Sequence, residues 1–145
     1  MRGSAVARID DKGRLKIPSQ FRAGIEDGRG PDVFVTSITG LNVRIYPMQV
    51  WLDVERKLAA VTSTHPTRIK FLDRVNYFCQ TSELDSQGRI VIPQHLRESA
   101  SIVGDVKVFG AIDYLDVWND ADFKKKLDRE PWTDDDGLKL AEFLV

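Results

Sequence analysis

Apolar and polar positions alternate over residues 5–9, which puts Ala5, Ala7 and Ile9 on one face of a strand. Asp10-Asp11-Lys12-Gly13 follows as a turn, because an aspartate side chain accepts from backbone N–H groups just ahead of it and Gly13 tolerates positive φ. The chain returns over residues 14–17 as a short strand with Leu15 and Ile17 inward. Pro18, whose missing N–H costs nothing in a first helical turn, opens a short helix to about Gly24. Residues 27–31 read as a loop, and residues 33–35 and 43–46 as two more strands joined through Gly40. Over residues 47–61 the pattern changes period. Trp51, Val54, Leu58 and Val61 recur at spacings of three, four and three, one apolar stripe of a helix. Pro66 begins another helix, carrying Arg68, Lys70 and Arg74.

The plan then repeats. Residues 80–84, 85–88 and 89–92 give strand, turn and strand, Pro93 opens a second short helix, and residues 106–109 and 115–118 are the later strands. Ile-Asp-Asp-Lys-Gly-Arg-Leu-Lys-Ile-Pro-Ser-Gln-Phe-Arg at 9–22 returns as Leu-Asp-Ser-Gln-Gly-Arg-Ile-Val-Ile-Pro-Gln-His-Leu-Arg at 84–97. Six of the fourteen positions are identical and three exchange one apolar residue for another. Further on, Tyr46 and Trp51 match Trp118 and Phe123 at an offset of 72. Two copies of one unit, here 1–62 and 63–145, suggest an internal pseudo-dimer, a form common among readers of repeated or symmetric DNA sites. Thr133 caps a last helix whose first turn holds Asp134, Asp135 and Asp136, where negative charge suits the helix dipole.

Charge changes the picture more than composition does. The net charge of −1 argues against nucleic acid until its distribution is read. Residues 1–24 carry a net of +4, from Arg2, Arg8, Lys12, Arg14, Lys16 and Arg22 against Asp10 and Asp11, while residues 113–145 carry a net of −5. A local basic face can meet phosphate while an acidic end keeps the chain in solution, although both ends read equally as solvated surface. No apolar run approaches the roughly 20 residues that span a bilayer, so no membrane association is expected. Cys79 is the only cysteine, which excludes an intrachain disulfide, fits a reducing cytoplasm and reads as a small buried filler.

The chemistry concentrates in the doubled turn. Arg14 and Arg89 follow it directly, and a planar guanidinium suits a phosphate or a guanine edge. The plainer reading is that each pairs with Asp10 or Asp85 and closes its hairpin; both hold together if the aspartate aims the arginine. Lys12, Lys16 and Arg8 read equally as phosphate contacts or solvated charges, and Arg22 and Arg97 as ties between short helix and sheet. Turn chemistry accounts for Asp10 and Asp85 without a catalytic carboxylate pair. His65 and His95 stand alone without metal-ligand spacing, and there is no Gly-rich phosphate loop, nucleophile elbow or dinucleotide fingerprint. No enzyme, metal, cofactor or small-molecule substrate is therefore expected. Trp51, Trp118 and Phe123 read as core or subunit-interface residues.

The residues also carry a family. Asp10, Gly13, Arg14, Ile17, Pro18 and Arg22, recurring as Asp85, Gly88, Arg89, Ile92, Pro93 and Arg97, resemble the MraZ regulators of the SpoVT/AbrB-like swapped-hairpin group. Ile45-Tyr46-Pro47 leading into Trp51, and Asp116-Val117-Trp118, are similar too. The resemblance covers most of residues 2–125. It implies a mixed α/β fold of two pseudo-repeated swapped-hairpin β units with short helices, assembly into rings, and a cytoplasmic, nucleoid-associated protein. It also implies binding of double-stranded DNA at short direct repeats upstream of a division and cell-wall gene cluster that includes its own gene, with Arg14 and Arg89 as contacts. The second motif is less basic, since Arg8, Lys12 and Lys16 become Glu83, Gln87 and Val91. Rival readings are a ring-assembly or protein-interaction module, whose arginines bridge subunits, and an AbrB-type antitoxin that binds a toxin as well as DNA.

Overall fold

A computed structural model describes residues 1–26 and 30–144. The first half runs β1 (Ser4–Arg8), β2 (Arg14–Lys16), α1 (Ser19–Glu26), β3 (Asp32–Thr36), β4 (Val43–Pro47), α2 (Met48–Ala59) and α3 (Pro66–Phe78). The second runs β5 (Gln80–Glu83), β6 (Arg89–Val91), α4 (Gln94–Ser99), β7 (Asp105–Gly110), β8 (Leu115–Asn119), α5 (Asp120–Arg129) and α6 (Asp134–Ala141). The chain is a mixed α/β fold of two repeated β units with short helices.

The halves exchange their hairpins. The six-stranded antiparallel sheet has the order β1-β7-β8-β4-β3-β5, so each half's first strand edges the other half's sheet. Ala7 stands opposite Val106, and Ser82 opposite Val33. The second strands pair with one another as a separate two-stranded ribbon, β2 with β6, Leu15 opposite Ile90. Reversing the sheet order and exchanging halves gives the same order again, so a pseudo-twofold axis runs between β4 and β8 and between β2 and β6. Hydrogen bonds repeat across it: Ile17 N–H donates to Gly88 O and Ile92 N–H to Gly13 O, both at 2.9 Å.

Alternation explains the core. Leu15 and Ile90 turn to one face of the ribbon and are fully buried, beside Ile17, Ile92, Phe21 and Leu96 from the segments that follow. Val33, Val35, Val43 and Ile45 meet Val106, Val108, Leu115 and Val117 from the other half. Both halves thus contribute to one core, and losing a buried leucine such as Leu15 to alanine costs about 2–5 kcal/mol. At the seam, Asn42 Nδ2 donates to the Asp116 carboxylate, whose pKa burial raises against the opposing pull of its hydrogen bonds and of Arg44. The buried Trp118 indole N–H favours that carboxylate's charge without reaching hydrogen-bond geometry.

Several expectations shift. α1 continues to Glu26, and residues 27–29 of the expected loop lie outside the described residues. α2 stops at Ala59, so the stripe from Trp51 ends before Val61, which is 38% exposed. Cys79 is half-buried. α5 was not foreseen, although Asn119 caps it and Asp120, Asp122, Lys126 and Arg129 carry the charge bias of helix ends. α6 begins as expected at Thr133, in a capping box with Asp136.

Candidate nucleic-acid interface

The two turns are built alike, atom for atom. Asp10 Oδ1 accepts from the backbone N–H of Lys12 at 3.0 Å and of Arg14 at 2.9 Å. Asp85 Oδ1 accepts from Gln87 at 2.9 Å and Arg89 at 2.8 Å. Gly13 and Gly88 close the turns at φ of 80° and 72°. Each aspartate's other oxygen takes the arginine Nε, at 2.7 Å in the first turn and 2.8 Å in the second. These bonds, the arginine's own backbone N–H first, hold both carboxyls below their ordinary pKa. Binding through Nε fixes each guanidinium while its two terminal nitrogens remain available to a ligand. The Arg14 and Arg89 side chains are 34% and 27% exposed.

The ribbon carries both arginines. Because side chains alternate along a strand, Arg14 and Lys16 share the face opposite buried Leu15, and Arg89 and Val91 share the face opposite buried Ile90. Lys16 stands across from Arg89 and Arg14 across from Val91, so three of the four outward positions are cationic and both halves supply them. Lys12 is exposed in the first turn, joined to β2 by Gly13. A two-stranded ribbon is one of the shapes that the DNA major groove admits, and three cations suit its phosphate walls.

The structure places the sequence-selected residues unequally. Arg14, Lys16 and Arg89 come together on the ribbon, with Asp10 and Asp85 behind the arginines. Arg8 lies on β1 in the other sheet, where its side chain meets Asp105 at 3.5 Å with both exposed. Arg22 and Arg97 do more than tie helix to sheet. The Arg97 guanidinium lies against Gly13, so that a Cβ there would stand 2.7 Å from Arg97 Cζ, and Arg22 covers Gly88 with a corresponding 2.9 Å. Arg97 Nε also donates to Ile92 O at 3.0 Å, and Arg22 Nη2 to Ser86 O at 3.3 Å. Each half's arginine therefore braces the other half's turn, a role that the recurrence of arginine nine residues after each glycine could have signalled.

No helix among the described residues is long and apolar enough to cross a membrane. The family model described as "MraZ protein, putative antitoxin-like" matches residues 1–74 and 79–136. A protein named Transcriptional regulator MraZ from Acidobacterium capsulatum is 48% identical over 98% of this chain and 97% of its own length. Its namesakes from Koribacter versatilis and Syntrophobacter fumaroxidans are 45% and 32% identical, over 97% and 99% of this chain and 97% and 93% of their own lengths. With the doubled hairpin, the exchanged strands and these relatives in agreement over nearly the whole sequence, the chain belongs to the MraZ family.

Proposed function

We propose that this protein is a sequence-specific DNA-binding transcriptional regulator that reads double-stranded DNA through the β2–β6 ribbon. The observation that carries the reading is the single ribbon face on which Arg14, Lys16 and Arg89 meet, each arginine aimed by its own aspartate. The relatives' name, Transcriptional regulator MraZ, supports it. The arginines supply base or phosphate contact, Lys16 and Lys12 phosphate contact, and Asp10 and Asp85 orientation; Arg8 is a peripheral contact from the sheet edge. The two repeats, with their boundary taken after α3 rather than between residues 62 and 63, act as the two halves of one reader, the first contributing more charge.

The target is short direct repeats upstream of a division and cell-wall gene cluster that includes the protein's own gene, and the setting is the cytoplasm, on the nucleoid. The protein works as a ring-like homo-oligomer. One ribbon with about three cations is a weak binder, and several ribbons held side by side on successive repeats raise the effective concentration of each.

Titrating the purified protein into labelled DNA from upstream of its gene, against salt and excess unrelated DNA, tests the reading. Competitor-resistant binding that is lost when the repeats are scrambled supports it. The slope of log affinity against log salt should be on the order of −3 per engaged ribbon, about −0.9 for each phosphate neutralised. Arg14→Ala with Arg89→Ala should abolish specific binding in a folded protein. If those substitutions instead dissolve the oligomer, the arginines bridge subunits and the assembly-module reading replaces this one.

A further inference from the structure

Helix α6 is well formed and buries none of its residues on its own chain. Leu138, Leu140 and Ala141 share an apolar side of α6, Asp135 and Lys139 occupy the other, and Phe143 and Leu144 follow just past its end. Trp132 just before the helix is 71% exposed, and Leu138, Phe143 and Leu144 are 71%, 76% and 97% exposed. In the first half the corresponding helix, α3, does cover its sheet: Val75 and Phe71 pack with Phe34, Tyr46 and Trp51.

The α2–α3 hairpin leaves a groove of the opposite character. Leu58, Val61 and Phe71 line it, with His65, Thr67 and Arg68 at its rim. Residues 48–78 around it carry Arg56, Lys57, Arg68, Lys70 and Arg74 against Asp53, Glu55 and Asp73. Residues 130–144 carry Glu130, Asp134, Asp135, Asp136 and Glu142 against Lys139 alone. An apolar, acidic helix and an apolar, basic groove, both uncovered on the same chain, are complementary in charge and in what each must bury.

We propose that α6 of one copy seats in the α2–α3 groove of a second copy. The proposal rests on the homo-oligomer reading above and names its interface. Helix and groove are different surfaces, and every copy offers one of each; where each copy passes its helix to the next rather than back to its own donor, the contact is head-to-tail and repetition closes a ring or extends a filament. The ribbon lies outside this contact.

Sedimentation velocity on the full-length protein tests it, together with directed cross-linking. Leu138→Asp with Leu140→Asp should move the mass from oligomer to single chain while the far-ultraviolet circular dichroism spectrum of the folded chain is kept. In a Cys79→Ser background, a Val61→Cys chain mixed with a Leu140→Cys chain should give a disulfide-linked dimer under mild oxidation, in several-fold excess over either chain alone. If the oligomer survives the aspartates and no mixed dimer forms, the interface is wrong and the oligomer reading stands. If the unaltered protein sediments as one chain, both fall. The Arg14→Ala, Arg89→Ala protein should keep its mass whichever result is found.

Discussion

The contact between Arg97 and Gly13 sets a measurable coupling between two residues far apart in sequence. Alanine at Gly13 must adopt φ near 80°, a left-handed conformation that costs a residue with a Cβ roughly 1–2 kcal/mol. Gly104, at φ 63° with open space around it, bears that cost alone and serves as the control. At Gly13 the new Cβ also lies 2.7 Å from Arg97 Cζ, well inside the roughly 3.5 Å of van der Waals contact. The guanidinium must withdraw and give up its 3.0 Å bond to Ile92 O, a bond worth about 0.5–1.5 kcal/mol. Gly13→Ala should therefore cost about 0.5–1.5 kcal/mol more than Gly104→Ala. In an Arg97→Ala background that excess should vanish, because the bond is already gone. Urea unfolding at fixed protein concentration, followed by tryptophan fluorescence, gives the stabilities of the native protein, the three single variants and the Gly13→Ala, Arg97→Ala double variant. Additivity of Gly13→Ala and Arg97→Ala within about 0.3–0.5 kcal/mol would refute the brace.

Three further outcomes are expected. Asp10 and Asp85 have folded pKa values below the ordinary 3.8, so the stability they give is fully present above that value and is lost as pH falls through the lowered folded values. The stability gap between the native protein and the Asp10→Asn, Asp85→Asn variant, followed by acid titration of the unfolding midpoint, should narrow below pH 3.8 and stay constant between pH 6 and 8. Arg14→Lys keeps a charge but loses the Nε bond to Asp10, so a DNA titration should show about a tenfold loss of specific affinity with little change in salt slope; unchanged affinity would remove the aiming role of Asp10. Ile112 is a β-branched residue at φ 67° and is 84% exposed, so Ile112→Asn should stabilise the protein by about 1 kcal/mol in a urea titration.

What the sequence revealed, and what it hid, follow from range. The turns were legible because Asp10, Gly13 and Arg14 interact within five residues, and the same chemistry recurs at Asp85, Gly88 and Arg89. The inward faces of β2 and β6 followed from alternation alone. Which strand pairs with which was not legible: Ala7 opposite Val106 depends on contacts nearly a hundred residues apart, and nothing local in residues 5–9 selects that partner. Arg22 and Arg97 escaped for the same reason, since each works on the other half. α5 was missed because its end charges are clear but Phe123 and Leu127 make only a short apolar stripe. The family resemblance pointed to the exchange of hairpins where residue patterns could not.

The exchanged strands also govern how the protein is made. β1 leaves the ribosome about a hundred residues ahead of its partner β7, which ends at residue 110. Until then the amino-terminal hairpin has no sheet to join, and the edge of β3 waits for residues 80–83. Synthesis at about 5–20 residues per second leaves that interval open for seconds, with unpaired edges exposed to neighbouring nascent chains. The six-stranded sheet cannot be completed before residue 119 has been made, so it forms at the slower pace of chains dominated by distant pairings. Ribosomes crowded on one message would hold several unfinished amino-terminal halves side by side, each presenting the strand that another chain's carboxy-terminal half is built to accept. Cross-chain exchange during synthesis is the hazard this topology carries.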